Sequence, residues 1–232
     1  MRRTLAPRTL ALETSGRTGS VAFAEGDRII SEQSFDYGLQ NAARILPMID
    51  EMCRAEAWSP ADIQRIAISI GPGSFTGLRI GVTLAKTLAF ATGAVLIPVP
   101  SIHVLAANAP ADSNEIIIVL DAKRGQIFTA RLRRQSDRWT EVEPAHLGTL
   151  AAILDRSPRP VHLIGEGIPY HRESIRDDTG IVLTDPSLWI GHASIVAKLA
   201  DEFRAISDPA ALIPLYIRKP EAEEKADLAD HA

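Results

Sequence analysis

Three groups of residues in this chain have the types and spacing that chemistry uses: a glycine-rich run, two acids that close apolar strands, and scattered histidines with one cysteine. The run "SIGPGSFTGLRIGVTLAK" (69–86) places Gly71, Gly73 and Gly77, with Pro72, ahead of a helical pattern. A phosphate loop requires Gly-x-x-x-x-Gly-Lys-Ser/Thr, because its amides cradle the phosphates and the lysine reaches the outer ones. Here Leu78-Arg79 fills the Lys-Ser/Thr positions, and Lys86 arrives more than two turns into the helix. The dinucleotide pattern Gly-x-Gly-x-x-Gly also fails, by one residue in its last spacing. Two readings of the loop stay open. One is an anion site at the helix N-terminus, where free amides and the dipole attract negative charge; the other is a tight strand-to-helix turn whose glycines avoid clashes. In both, Ser74 and Thr76 can bond amides at the helix start, and Arg79 lies just inside it.

The two acids are Glu13 and Asp121. "LALETSGRTGSVAFA" and "IVLDAKRGQIFTARL" share one plan: an apolar strand ending in an acid, a short glycine-containing turn, and a returning strand. Two such hairpins facing each other, with Glu13, Thr14 and Asp121 at their tips, could clasp a nucleotide phosphate chain and its magnesium between two lobes. Two ordinary hairpins would look the same. Lys123 and Arg124 put bulky cations in the second turn, where a phosphate clasp favours small residues; they could instead pair with Asp121 or meet a partner. "GEG" at 165–167 is either a remnant of an adenosine-side glycine pair or a strand-end turn.

A metal shared by two histidines on one helical face needs them four apart. His103, His146, His162, His171, His192 and His231 contain no such pair, and the His-Glu-x-x-His signature of zinc proteases is absent. No metal site is expected. Cys53 falls on a helical pattern with no histidine nearby in sequence, and no Gly-x-Ser-x-Gly elbow surrounds Ser74, so neither reads as a nucleophile.

The elements that must position these residues follow from periodicity. Strands 9–14 and 20–25 flank a glycine turn, and "RIISEQSF" continues them as a meander. A helix over about 41–57 precedes strand 65–69, the glycine loop opens a helix over 77–92, and strand 94–100 leads to a helix capped by Ser101. The pattern then restarts with strands 115–121 and 126–134, a helix near 146–156, strand 161–167, a helix over 169–176, strand "IVLT" and a helix over 192–206. This predicts an N-terminal lobe over 1–110, a C-terminal lobe over 111–218, and a polar, disordered tail over 219–232. The chain has 232 residues, 46% hydrophobic and 23% charged, with a net charge of −4. No strongly basic face is implied, so tight binding to nucleic acid by the chain alone is not expected. No window suits a membrane span, and one cysteine allows no internal disulfide, so a cytoplasmic protein is expected.

With these residues laid out, the chain resembles the TsaB family, also called YeaZ, of bacterial tRNA threonylcarbamoyladenosine biosynthesis proteins. The strongest element is "GPGSFTGLRIGVTLAKTLA" (71–89), supported by "LALETS" (10–15), "RILPMIDEM" (44–52), "VPSIHVLA" (99–106), "DAKRGQIFTARL" (121–132) and "PLYIRKP" (214–220). The resemblance implies a two-lobed α/β fold of the actin-like, sugar-kinase and chaperone ATPase type (ribonuclease-H-like), with duplicated βββαβα cores. It implies a non-catalytic subunit for threonylcarbamoylation of the adenosine beside the anticodon of tRNA. Such a subunit binds and activates the catalytic homologue TsaD together with the ATPase TsaE, or forms a homodimer when alone. Contact with tRNA is then made only through the complex. No cofactor is expected on the chain itself, ATP or ADP entering only with the assembled complex. Two positions depart from the family's pattern: Glu13 stands where an aspartate is usual, and Gln40-Asn41 where a His-Ser/Thr-type start is usual. Competing readings are a small-molecule kinase of the same fold and a degenerate glycoprotease-like protein.

The helices over 41–57 and 77–92 are the expected partner face. On the first, Ile45, Leu46, Met48, Ile49, Met52 and Cys53 spread over about 160°, wider than the roughly 100° stripe that one core needs. On the second, Gly77, Gly81, Ala85 and Ala89 recur every four residues, so another helix could approach closely.

Overall fold

The computed structural model describes residues 6–36, 42–175 and 178–218. The expected tail over 219–232, Gln40-Asn41 and His231 lie outside the described residues. Two five-stranded sheets form the two lobes. The first contains β1 (Arg8–Glu13), β2 (Thr18–Glu25), β3 (Arg28–Asp36), β4 (Arg65–Ser69) and β5 (Val95–Val99), ordered β3-β2-β1-β4-β5. The second contains β6 (Glu115–Asp121), β7 (Ile127–Gln135), β8 (Arg138–Gly148), β9 (Val161–Ile164) and β10 (Ile181–Leu183), ordered β10-β9-β6-β7-β8. In both, the first three strands are antiparallel and the last two join in parallel, so one topology occurs twice. This is the duplicated two-lobed plan that the family resemblance implies, and it accounts for the repeated hairpins.

Side-chain size sorts the two faces of the first sheet. Leu10 and Leu12 of β1, Val21 and Phe23 of β2, and Ile66 and Ile68 of β4 point to one face, where α1 (Ile45–Ala55) and α2 (Phe75–Thr92) cover them. The alternate positions are small: Ala11, Ala22 and Ala67 lie side by side in register. With Ala24 they make a shallow face on which α5 (Ala193–Leu199) lies through Ala193, Val196 and Ala197. Period-two alternation thus builds two different helix seats from one strand set.

The seats are filled across the halves of the chain. The 110/111 boundary separates the sheets, but α5 comes from the second half and packs on the first sheet. In return Ile102, Leu105 and Ala106 of α3 (Ser101–Ala106) join the core of the second lobe. The segment after α5 also returns to the first lobe, where Ile206 bridges Leu96 and Leu212 is 1% exposed in its core.

Several sequence expectations are corrected. Residues 138–148 are strand β8, and only Leu150–Asp155 forms helix α4. Where a helix over 169–176 is expected, the described residues hold two short 3-10 turns, Ile168–Tyr170 and Arg172–Ser174. Ser101 opens α3 from inside it: Pro100 is the N-cap, and Ser101 Oγ accepts from Gly71 N at 3.0 Å. The helix over 192–206 stops at Leu199 and closes in a 3-10 turn, Ala200–Glu202.

Candidate functional site

The glycine loop is shaped by the first hairpin. Gly71 has φ +106°, a conformation that suits only glycine well, and it exchanges hydrogen bonds with Ser101: its N donates to Ser101 Oγ, and its O accepts from Ser101 N at 2.9 Å. A Cβ on Gly73 would lie 2.3 Å from Ser15 O, so only glycine lets the loop touch the hairpin backbone. Ser74 N then donates to Ser15 O at 2.7 Å, while Ser74 Oγ accepts from Gly77 N at 3.3 Å and caps α2. Of the two readings of the loop, these contacts fit the tight turn: the amides of Gly71, Ser74 and Gly77 already have protein acceptors. Thr76 is exposed in the first turn, and exposed Arg79 lies 5.3 Å from the Phe75 ring centroid.

Gly81 serves the same hairpin. A Cβ there would be 2.1 Å from Thr14 Oγ1 and 3.1 Å from Ile68 Cδ1. The small-residue stripe of α2 therefore lets the helix lie against its own sheet. That corrects the expected partner face. Ile45, Ile49, Met52, Ala85 and Ala89 are at most 4% exposed in this chain's core, Gly77 and Gly81 are buried, and Met48 packs against the same cluster. Ile45, Ile49, Met52 and Cys53 of α1 join one core cluster with Phe23, Trp58 and Val82. What the two helices leave outside is a groove of about 400 Å³ lined by Leu46, Arg79, Ile80, Thr83, Leu84 and Thr87. Leu46 is 52% exposed and Phe90, farther along α2, 86%.

The two acid-tipped turns and the 165–171 segment come together between the lobes. Glu13 is buried; its Oε1 accepts from Ser15 N and Ser15 Oγ, both at 2.6 Å, while its Oε2 has no partner among the described residues. Burial pushes its carboxyl up, the Ser15 hydrogen bonds oppose this, and the neighbouring Glu166 adds to the rise. Glu166 comes from the second lobe: its Oε2 accepts from Arg17 N at 3.0 Å and would meet a Cβ on Gly16 at 3.2 Å. Burial raises this carboxyl too, and Arg17 counters it. The glycines of "GEG" pack on β6, where a Cβ on Gly165 would be 2.3 Å from Val119 O and one on Gly167 2.7 Å from Asp121 N.

In the second turn Asp121 accepts from Lys123 N at 3.0 Å and Lys123 Nζ at 2.5 Å. Burial alone would raise the Asp121 carboxyl, but Lys123 outweighs it and the group sits below its ordinary value. Lys123, Arg124 and Gly125 all have positive φ, near +62°, +55° and +73°. His171 Nε2 stands 3.8 Å from Asp121 Oδ1, its side chain 9% exposed. Tyr170 lies between the hairpins, with Arg17 Cζ 4.8 Å and Lys123 Nζ 5.7 Å from its ring centroid.

The structure thus sets Thr14 against Gly81 of α2, Glu13 beside Ser15 and Glu166, and Asp121 beside Lys123 and His171. Among the described residues no group of three His, Cys, Asp or Glu is placed to hold a metal ion. Sequence reasoning singled out neither Arg17, Tyr170 nor His171 for this crevice. Only "GEG" pointed toward it, through the strand-end glycines that bring Glu166 there.

Comparison with known proteins adds an independent line. A family model described as TsaD, tRNA N6-adenosine threonylcarbamoyltransferase, matches residues 39–224. The chain is 33% identical over 226 residues to the tRNA threonylcarbamoyladenosine biosynthesis protein TsaB of Bacillus subtilis, covering 93% of this chain and 96% of that protein. It is 26% identical over 234 residues to the TsaB of Escherichia coli, covering 94% and 97%. The solved structure of YeaZ from Pseudomonas aeruginosa superposes with a TM-score of 0.75 at 23% identity, over 90% of this chain and 99% of that one.

Proposed function

The chain belongs to the TsaB (YeaZ) family, and from that premise we propose that it takes part in tRNA threonylcarbamoyladenosine biosynthesis as a non-catalytic subunit. It binds and activates a TsaD-type catalytic homologue, joined by a TsaE-type ATPase, and contacts tRNA only through that assembly. When its partner is absent the same face pairs two copies of the chain. The observation that carries this reading is the α1–α2 groove: Leu46, Ile80 and Leu84 line an apolar strip with Arg79 at its edge, on helices whose other faces this chain already covers. An apolar patch rimmed by polar residues suits a protein partner.

The crevice supports the non-catalytic part. Glu13 Oε1 accepts from Ser15, the nearby Glu166 disfavours a charge on Glu13, and Asp121 is engaged by Lys123, so neither hairpin acid stands as a free carboxylate for a metal–phosphate group. ATP or ADP enters with the assembled complex. The test is reconstitution. The chain with ATP, magnesium, threonylcarbamoyl-adenylate and tRNA leaves tRNA unmodified until the TsaD-type protein is added. Modified tRNA without that protein would overturn the proposal, and ATP turnover with a sugar or carboxylic acid would favour the kinase.

A further inference from the structure

We propose that the lobes are latched shut in the free protein by Arg17, Glu166, Tyr170 and Lys123, so that the crevice between the hairpins is filled by the chain's own side chains before any ligand arrives. Arg17 belongs to the first hairpin turn, Lys123 to the second, and Glu166 and Tyr170 to the segment after β9. Two contacts cross the crevice. The Arg17 amide donates to Glu166 Oε2, and the Arg17 guanidinium lies 4.8 Å from the Tyr170 ring centroid. Lys123 Nζ reaches the same ring, at 5.7 Å, while bonded to Asp121. One aromatic ring therefore carries a cation from each hairpin, and a ring's negative face holds both without a salt bridge.

The approach is close in the backbone as well as in the side chains, since Gly16 leaves only 3.2 Å between its Cβ position and Glu166 Oε2. The second turn is held from its other side too, where Arg218 donates to Ala122 O and Gln126 Oε1. That arginine ends a strap on the first lobe, where Lys86 Nζ donates to Leu212 O at 3.1 Å and Leu215 N donates to Ile70 O at 2.7 Å. Latch and strap fix both turns relative to one another. A polyphosphate entering between the hairpins must first take Arg17 and Lys123 off the ring.

Hydrogen exchange on the full chain reads the latch directly, because the Arg17 amide is one of its bonds. Tyr170→Ala should raise exchange in segments 14–18 and 122–126 by about tenfold, the scale of losing two partly exposed cation–π contacts. Strands β1 and β6 should exchange as in the wild type. Tyr170→Phe keeps the ring and should exchange like the wild type, which a role for the hydroxyl would not allow. Arg17→Ala, in an exposed turn, removes the guanidinium that crosses the crevice and gives a second opening variant if Tyr170→Ala does not fold. Adding ATP with magnesium should leave exchange in the wild-type turns unchanged. Equal exchange in wild type and a folded opening variant, or slowing of the wild-type turns by ATP with magnesium, would overturn the proposal.

Discussion

Gly81→Ala tests how closely α2 is pressed onto β1. One added carbon must displace the buried Thr14 hydroxyl 2.1 Å away, so the substitution should cost about 1–3 kcal/mol, read as a lower urea midpoint with an unchanged slope. Gly93→Ala makes a useful contrast, because nothing lies within 4 Å of its Cβ position. Its cost, about 1 kcal/mol, comes from the backbone alone, which has φ +75° at this helix end. Glu13 gives a prediction with a sign. Its folded carboxyl is raised, so the native state holds a proton that the unfolded chain has released. The stability this proton contributes is complete below the unfolded value near 4.5 and is lost as pH rises through the folded one. Glu13→Gln should remove that fall, so urea midpoints measured between pH 4.5 and 8 should decline less than in the wild type. An unchanged decline would assign the dependence to Glu166, whose carboxyl shifts the same way.

At the scale of elements, α1 and α2 each have an inward face and an outward one, and charge substitutions separate them. Met52→Glu and Ala85→Glu put an unpaired charge into a closed core and should prevent folding, seen as lost cooperativity in thermal melts. Leu46→Glu and Ile80→Glu line the open groove, should fold, and should weaken capture of the TsaD-type protein at least about tenfold. Wild-type capture by folded variants of both would move the interface elsewhere. Helical periodicity showed that both helices were apolar over a wide arc, yet it could not tell which part of the arc the chain itself would cover. That depends on β2 and the 209–212 segment, both distant in sequence, as well as on Trp58 just past the end of α1. β8 was hidden for a related reason. "RWTEVEPAHLG" lacks a continuous apolar run, because Glu143 meets the charged Arg131 and Arg156 while only Trp139 and Ala145 pack against the core. The first hairpin and the glycine loop were legible, since their acids and glycines sit where the backbone turns or touches. Arg17, Tyr170 and His171 were not, because only the meeting of the two lobes gives them a common site.

For the whole molecule, the exchange of helices decides what can fold alone. A fragment ending at residue 110 keeps its five strands but lacks α5 and Leu212, leaving the alanine face of its sheet bare. It should show no cooperative melting transition, whereas mixing it with a fragment covering 111–218 should restore one. A sharp transition in the first fragment by itself would show that the alanine face tolerates water. Lobes built this way are coupled through packing, so a change at one sheet reaches the other without a ligand between them.

The strap also sets a mechanical order. Its C-terminal end is held in series: by Arg218 on the second turn, Leu215 on Ile70, Lys86 on the carbonyls of 210 and 212, and the Ile206–Leu96 bridge, with α5 behind them. These fastenings bear a pull on that end one after another, like a zip. The strands of β1 lie in the middle of a sheet and are loaded in shear across many bonds at once. An optical trap pulling the chain by its ends should therefore record small early ruptures as the strap peels, then one large rupture when the first sheet yields.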